Sequence, residues 1–155
     1  MNVPLIFSLF TATCIAIPLV GLSSLLPTPG LTVLAHETEI SGNIGGTMHI
    51  EPNDNPRAGT PALTWFALRT RNGQNVPLSA CRCELAVYTQ PRRAGQSPIQ
   101  RPTLRAVSQE GYEGIPGATI NFPRAGSYEL ILRGQPVRNG AFPPFELRFS
   151  VLVAR

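Results

Sequence analysis

The chain has 155 residues, and its formal charge of +4 comes from 13 basic side chains, all of them arginine, against nine acidic ones. The arginines are spread along the sequence, and their densest stretch, Arg92–Arg105, contains no aromatic residue, so this charge does not indicate a nucleic-acid interface. Pro (16) and Gly (14) separate short apolar runs instead of forming a low-complexity tract, which predicts an all-β domain with many turns.

Residues 1–35 have the pattern of a secretory signal peptide. Val3–Ala35 contains no charged side chain, Val33 and Ala35 place small residues at positions −3 and −1 of a cleavage site, and the polar segment HETE follows. The apolar stretch is long and has no preceding Lys or Arg, so an uncleaved membrane anchor is the alternative. On either interpretation the folded part, residues 36–155, is expected in a periplasm, a thylakoid lumen or the extracellular space.

Alternation of apolar and polar residues predicts the first strands of the folded part. Met48 and Ile50 fall on one face of a short run, which should be the core face, and His49 falls on the outer face. Ala62–Arg71 is apolar on both faces up to Leu68, which predicts a central strand that is covered on both sides at least in part. The Asn72-Gly73 pair that follows predicts a type I′ hairpin turn.

The second half of the chain predicts further strands. Cys81–Thr89 alternates cleanly, and the clearest alternation of all runs from Phe145 to Val153. Gly111–Gly117 is expected to be a loop, whereas Pro123–Tyr128 fits a tyrosine corner that opens a late strand. In total about seven short strands are expected, which predicts an antiparallel, immunoglobulin-like β-sandwich preceded by the N-terminal signal segment.

The layout of turns and strands resembles that of bacterial exported immunoglobulin-like modules. The segments that carry the likeness are Pro56-Arg-Ala-Gly59, Asn72-Gly73-Gln-Asn-Val76-Pro77 and Pro123…Gly126-x-Tyr128-x-Leu130. In these the chain is similar to YtkA-like and copper-resistance CopC-like domains, and to exported cyanobacterial proteins of unknown role with HIEPNDNPRAG-like and CxC segments. The resemblance covers about 100 residues. It implies the immunoglobulin-like fold, and the CopC-like domains imply a copper-binding histidine directly after the cleavage site.

Copper binding is the sharpest functional hypothesis for the folded part. Cleavage after Ala35 makes His36 the first mature residue, whose α-amine and imidazole together can chelate one ion, and His49 is the natural second imidazole. Imidazole suits Cu(II), whereas thioether and thiolate suit Cu(I), so Met48 is a further candidate ligand. A usable site needs three or four converging ligands. The acidic residues near the two histidines are Glu37, Glu39, Glu51 and Asp54.

Cys81 and Cys83 are the second candidate for chemical activity, and alternation places both on the inward face of one strand. Residues i and i+2 of a strand lie ~6.6 Å apart at a rise of about 3.3 Å per residue, which is close to the upper limit for a disulfide. Three states therefore stay open: a labile disulfide, two buried thiols, or a thiolate pair that holds Cu(I) or Zn(II). A bulge in front of Cys83 would favour the disulfide.

Catalytic chemistry has little support in the sequence. The two histidines lie close to each other in the first third of the chain, Asp54 is the single Asp, and no segment resembles a nucleophile elbow or a phosphate-binding loop. Trp65 and Tyr128 are expected to fill the core.

We therefore expect a non-enzymatic binding or interaction module of the cell envelope, with copper as its leading ligand. The alternative is a purely structural or protein-binding domain without a metal, in which the Arg92–Arg105 loop or a sheet edge contacts another envelope protein. Neither nucleic acid nor, if residues 1–35 are removed, a membrane is an expected partner.

Overall fold

A computed structural model describes residues 37–155; residues 1–36, which contain the predicted signal segment and His36, lie outside the described range. Among the described residues, no helix has the length and apolar character needed to cross a membrane. The strands are β1 (Glu37–Ser41), β2 (Ile44–Ile50), β3 (Pro61–Thr70), β4 (Cys81–Thr89), β5 (Arg105–Gln109), β6 (Tyr112–Asn121), β7 (Gly126–Pro136) and β8 (Phe145–Val153), and one 3₁₀ turn, Leu78–Ala80, precedes β4.

The strands form two antiparallel sheets, with the order β1-β2-β3-β6-β5 in one and β4-β7-β8 in the other. Without β1, these orders are those of the ABED and CFG sheets of a constant-type immunoglobulin domain. The predicted all-β, immunoglobulin-like sandwich is thus confirmed. The described residues contain eight strands, one more than the expected number, because the segment before β2 forms an edge hairpin with it.

The core lies between the two sheets and follows the alternation of the sequence. Met48 and Ile50 point into it from β2, and the inward positions of Phe145–Val153 all belong to it. Phe66 packs against Phe149 across the sandwich, with ring centroids 5.5 Å apart. These contacts confirm the predicted inward faces of β2 and β8, because period-2 alternation fixes which side chains a strand turns inward.

The central strand β3 is covered on both sides, as the sequence predicts. Phe66 is fully buried in the core, and its neighbour Trp65 is fully buried on the opposite, outer face of the same sheet. There Trp65 forms a second apolar cluster with Ala67 and Ile115, against which Tyr112 packs. Trp65 is therefore a buried structural residue, but it does not belong to the core between the sheets.

The edge of β8 is held to β1 by side chains. The N–H of Ser150 donates a 2.8 Å hydrogen bond to Oε2 of Glu37, and the N–H of Glu146 donates one of 3.2 Å to Oγ of Ser41. Burial raises the pKa of Glu37, the hydrogen bond from Ser150 partly offsets this effect, and the neighbouring charge of Glu39 adds to it. Polar side chains thus occupy part of a sheet edge that would otherwise be open to pairing with another chain.

Two local predictions are wrong. The turn after β3 is not type I′, because Gly73 has a positive φ (+79°) and Asn72 does not. Instead the Gly73 N–H bonds to the Thr70 carbonyl, and the left-handed glycine closes a longer hairpin loop of the kind that also favours Asn-Gly. Gly111–Gly117 is not a loop, because residues 112–117 form the first half of β6.

The tyrosine corner is confirmed. The hydroxyl of Tyr128 donates a 2.8 Å hydrogen bond to the carbonyl of Arg124 and accepts one of 3.3 Å from the N–H of the same residue. The ring is buried in the core and lies 4.9 Å from that of Phe122. This corner fixes the crossing from β6 in one sheet to β7 in the other.

Candidate functional site

His49 lies on the outer face of the five-stranded sheet, where the alternation predicts it, but it is only 9% exposed. In the β2–β3 ladder it pairs directly with Trp65. The imidazole stacks on the indole with ring centroids 4.0 Å apart and 6° between the ring planes. The predicted outer-face position of His49 is thus observed, but the flat face of Trp65 covers one side of the imidazole and leaves it largely buried.

The loop after β2 brings two carboxylates to this stacked pair. Oδ1 of Asp54 accepts a 2.6 Å hydrogen bond from the N–H of Ile50, and Oδ2 lies 4.0 Å from Nδ1 of His49. On the other side, the indole Nε1–H of Trp65 donates a 3.1 Å hydrogen bond to Oε1 of Glu51. The turn itself uses left-handed residues, with φ of +61° at Asn53 and +52° at Asp54. An imidazole, an indole and two carboxylates thus lie together on the outer face of the five-stranded sheet, with both rings largely buried.

The structure does not bring Met48 to this site. Met48 precedes His49 on β2, so its side chain points into the core on the other face of the sheet. His36 lies outside the described residues. Within residues 37–155, no three His, Cys, Asp or Glu side chains come together in a group that can hold a metal ion. Of the predicted ligands, the described part of the chain therefore presents His49 alone on the outer face.

A disulfide joins Cys81 and Cys83, whose Cα atoms are 5.3 Å apart. This separation is shorter than that of a regular strand, so the backbone is contracted where the 3₁₀ turn passes into β4. Cys81 is buried in the core, and Cys83 is partly buried against it. Opposite Cys83 lies Gly134, where an added Cβ would meet the Phe145 ring first and would come within 2.7 Å of Sγ of Cys81. The glycine therefore makes room for both the Phe145 ring and the disulfide.

A cleft of about 750 Å³ opens between the two sheets, beside the start of β1, the end of β2 and the edge strand β8. Its floor is apolar and includes Met48 and Val151, and its rim carries Glu37, Asp54 and Arg155. Sequence alternation identifies the core residues at its floor but not the gap between the sheets, because the gap depends on how far the two edges approach each other.

The Arg92–Arg105 loop packs against the sandwich, although its polar composition suggests a solvated loop. Residues 99 and 100 pair with Val87 at the free edge of β4. The guanidinium of Arg92 lies 4.3 Å from the ring centroid of Tyr88 and forms a 3.1 Å ion pair with Glu129. The first arginine of this loop is thus occupied by contacts within the domain, on the outer face of the three-stranded sheet.

That outer face carries a chain of ion pairs. Glu129 lies between Arg92 and Arg148, at 3.1 and 3.5 Å, and Glu146 pairs with both Arg148 and Arg133. Burial acts to raise the pKa of Glu146, but the hydrogen bonds and charges of Arg133 and Arg148 outweigh it, so the pKa lies below its ordinary value. The charges of these three arginines and two glutamates nearly cancel, so this face is not a strongly basic patch.

His49 and the acidic residues of its loop were identifiable from the sequence, but the role of Trp65 was not. The sequence contains a signal for this role, because alternation places Trp65 on the outer face of β3. Its pairing with His49, however, depends on the β2–β3 register. Comparisons of the chain with protein-family models, curated proteins and solved structures find no match.

Proposed function

We propose that the folded part of this chain is a non-enzymatic binding module of an exported protein, and that its ligand is a copper ion bound by His36 and His49. The observation that carries the proposal is the arrangement around His49, whose imidazole stacks on Trp65 at 4.0 Å between ring centroids and has the Asp54 carboxylate 4.0 Å from its Nδ1. His36 is proposed as the second ligand because cleavage after Ala35 would make it the first mature residue, with an α-amine beside its imidazole.

The contacts of His49 support the same proposal. The carboxylate of Asp54 lies on the Nδ1 side of the ring, and the indole of Trp65 fixes the ring plane. In metal sites such a carboxylate orients the imidazole and raises its basicity, so Nε2 is the nitrogen proposed to bind the ion. Two imidazoles and the α-amine of His36 form a nitrogen set that suits Cu(II). The sulfur of Met48 has no part in it, because it lies on the other face of the sheet.

A copper titration with intrinsic fluorescence tests the proposal directly. Trp65 is the single tryptophan of the chain and stacks on His49, so a paramagnetic Cu(II) ion bound there should quench the emission. Protein purified from the exported fraction should give a native mass that starts at His36 and retains one copper. The variant His49→Phe keeps a flat ring on Trp65 but removes both ring nitrogens, and it should weaken binding at least tenfold.

His36→Ala supplies the matched variant at the other proposed ligand, with the same expected loss. Wild-type copper affinity in His49→Phe would overturn the proposal. So would a native chain that still carries residues 1–35, because the α-amine of His36 would then not exist.

The alternative, a protein-binding module without a metal, is favoured by the cleft between β2 and β8. On this edge Ser150 is bonded to Glu37 and Ala154 to the Pro56 carbonyl, and between them Leu152 is 73% exposed. The occupant that fits is an extended apolar segment of a partner protein added along β8. The carboxylates of Glu37 and Asp54 on the rim favour a segment with a positive charge. Loss of partner binding in Leu152→Asp, with copper binding absent, would select this function.

A further inference from the structure

The Cys81–Cys83 disulfide connects two residues of the same strand and therefore ties no two elements of the fold together. β4 is already held along its length by the backbone ladder to β7. The stabilisation that a disulfide gives by restricting the unfolded chain grows with the length of the closed loop, and here the loop is as short as a single intervening residue allows. A purely structural role does not account for this disulfide.

The two sulfurs differ in access. Cys81 is 5% exposed and packs in the core, whereas Cys83 is partly exposed. Cys83 also lines two separate clefts, one of about 430 Å³ bounded by Leu104 and one of about 440 Å³ bounded by Phe145. Cys81 lines only the first of them. A thiol that approaches from solvent therefore meets the sulfur of Cys83 first.

The two clefts beside the disulfide carry more positive than negative side chains. Arg82 lines both clefts and Arg101 lines the first, against Glu84 as the one acidic residue that lines them, whereas Arg133 in the second cleft is already paired with Glu146. Cationic neighbours stabilise a thiolate and lower the pKa of a cysteine. The surroundings of Cys83 thus favour the approach of an attacking thiolate. They also favour Cys83 itself as a thiolate leaving group.

We infer that Cys81 and Cys83 form a thiol–disulfide exchange site for a protein or peptide dithiol, and that Cys83 is the sulfur attacked. In the first step the substrate thiolate attacks Sγ of Cys83, a substrate–Cys83 disulfide forms, the Cys81–Cys83 bond breaks, and Cys81 leaves as a thiolate that takes up a proton. In the second step the other substrate thiol, deprotonated, attacks the substrate sulfur of the mixed disulfide, and Cys83 leaves as a thiolate. Two electrons pass from the substrate dithiol, which is oxidised, to the protein disulfide, which is reduced.

The sequence makes this inference easy to test on the full chain. Trypsin cleaves after Arg82, so it separates Cys81 and Cys83 into residues 72–82 and 83–92, and Cys14 falls on a different peptide. The protein is treated with reduced glutathione in native buffer, quenched with acid, alkylated and digested. We expect glutathione on residues 83–92 and alkylation on residues 72–82. Dithiothreitol should reduce the pair completely without loss of the β-sheet circular dichroism signal.

Two variants separate exchange from simple exposure. Cys81→Ser leaves Cys83 as the remaining thiol of the pair, and it should form a mixed disulfide with oxidised glutathione at least tenfold faster than Cys83→Ser, in which buried Cys81 remains. Glutathione found equally on both tryptic peptides of the wild-type protein would overturn the assignment of Cys83. Reduction that occurs only together with unfolding would overturn the exchange site itself, and this result needs no variant.

Discussion

The hydroxyl of Tyr128 both donates to the carbonyl and accepts from the N–H of Arg124, four residues upstream. This pair of bonds closes the corner between β6 and β7, where the chain leaves one sheet for the other. The ring reaches the corner from inside the core, so the same residue contributes apolar burial and backbone hydrogen bonding. The corner thereby joins the two sheets at the end of the sandwich.

Tyr128→Phe should destabilise the domain by about 1–2 kcal/mol, because the apolar contacts stay while the backbone groups of Arg124 lose their partner. Urea denaturation followed by tryptophan fluorescence measures the change in the free energy of unfolding. Tyr112→Phe is the control, since the hydroxyl of Tyr112 contacts Arg69 at the surface and should contribute less than about 0.5 kcal/mol. Equal effects of the two substitutions would contradict the structural role of the corner.

Gly46→Ala should destabilise the domain by about 1–3 kcal/mol through overpacking of the core. Gly46 faces inward on β2, and an added Cβ would come within 2.9 Å of Leu68 and 3.7 Å of Phe149, with Leu147 closer still. The neighbouring Gly45 faces outward with no atom closer than 4.0 Å, so Gly45→Ala is the matched control in the same strand. Thermal unfolding of both variants measures the difference, and a loss confined to Gly45→Ala would show that the assigned faces of β2 are wrong.

Thr64→Val should stabilise the domain by about 1 kcal/mol. Thr64 is fully buried on β3, and among the described residues its Oγ1 is the buried side-chain polar atom without a hydrogen-bond partner. Valine keeps the shape and removes the cost of burying the hydroxyl. Thr119→Val, at an exposed position of β6, controls for the change in strand propensity. Calorimetry that shows a lower melting temperature for Thr64→Val would contradict this account.

Sequence alternation predicted the inward faces of β2, β4 and β8, because the core-facing positions of these strands are apolar and recur with period 2, although Ala86 and Tyr88 are buried on the outer face of β4 as well. It failed for the first half of β6, where Gly114, Pro116 and Gly117 suggest a loop. Gly117 is required because the side chain of Val107 lies over it, 2.7 Å from an added Cβ. Pro116 is tolerated because it lies beyond the part of β6 that pairs with β3. These requirements come from neighbouring strands.

For the candidate site, too, the sequence predicted the face on which a residue lies but not the residues around it. Alternation placed His49 on the outer face, but the degree of its exposure depended on which β3 residue lies opposite it. That register makes Trp65 its partner and brings the Asp54 loop beside it. The disulfide likewise depended on a backbone contraction before Cys83 and on Gly134 in β7. The surroundings of His49 and the disulfide thus both depend on pairing between segments that are distant in the sequence. The residue pattern of a single segment does not reveal such pairing.

Glu146→Gln should lower stability at pH 7 by less than about 1 kcal/mol, since the ion pairs with Arg133 and Arg148 are partly exposed. The pKa of Glu146 is lower in the folded protein than its ordinary value, so its stabilising effect is present above pH 4.5 and is lost as the pH falls through the folded pKa. Urea denaturation should show a smaller difference from wild type at pH 3 than at pH 7. Glu113→Gln, at an exposed position, is the control. A difference of the same size at both pH values would contradict the ion-pair explanation.

The stacking of His49 on Trp65 predicts a pH-dependent fluorescence signal. An imidazolium in contact with an indole quenches its emission, and the two ring centroids are 4.0 Å apart. Protonation of His49 should therefore lower the emission of Trp65, and a pH titration of the fluorescence measures this effect. His49→Phe keeps the stacked ring and should abolish the transition. Glu51→Gln should preserve it, although Glu51 accepts the indole N–H, because the imidazole still stacks on the indole. A transition that survives in His49→Phe would assign the signal to another group and contradict the stacked pair.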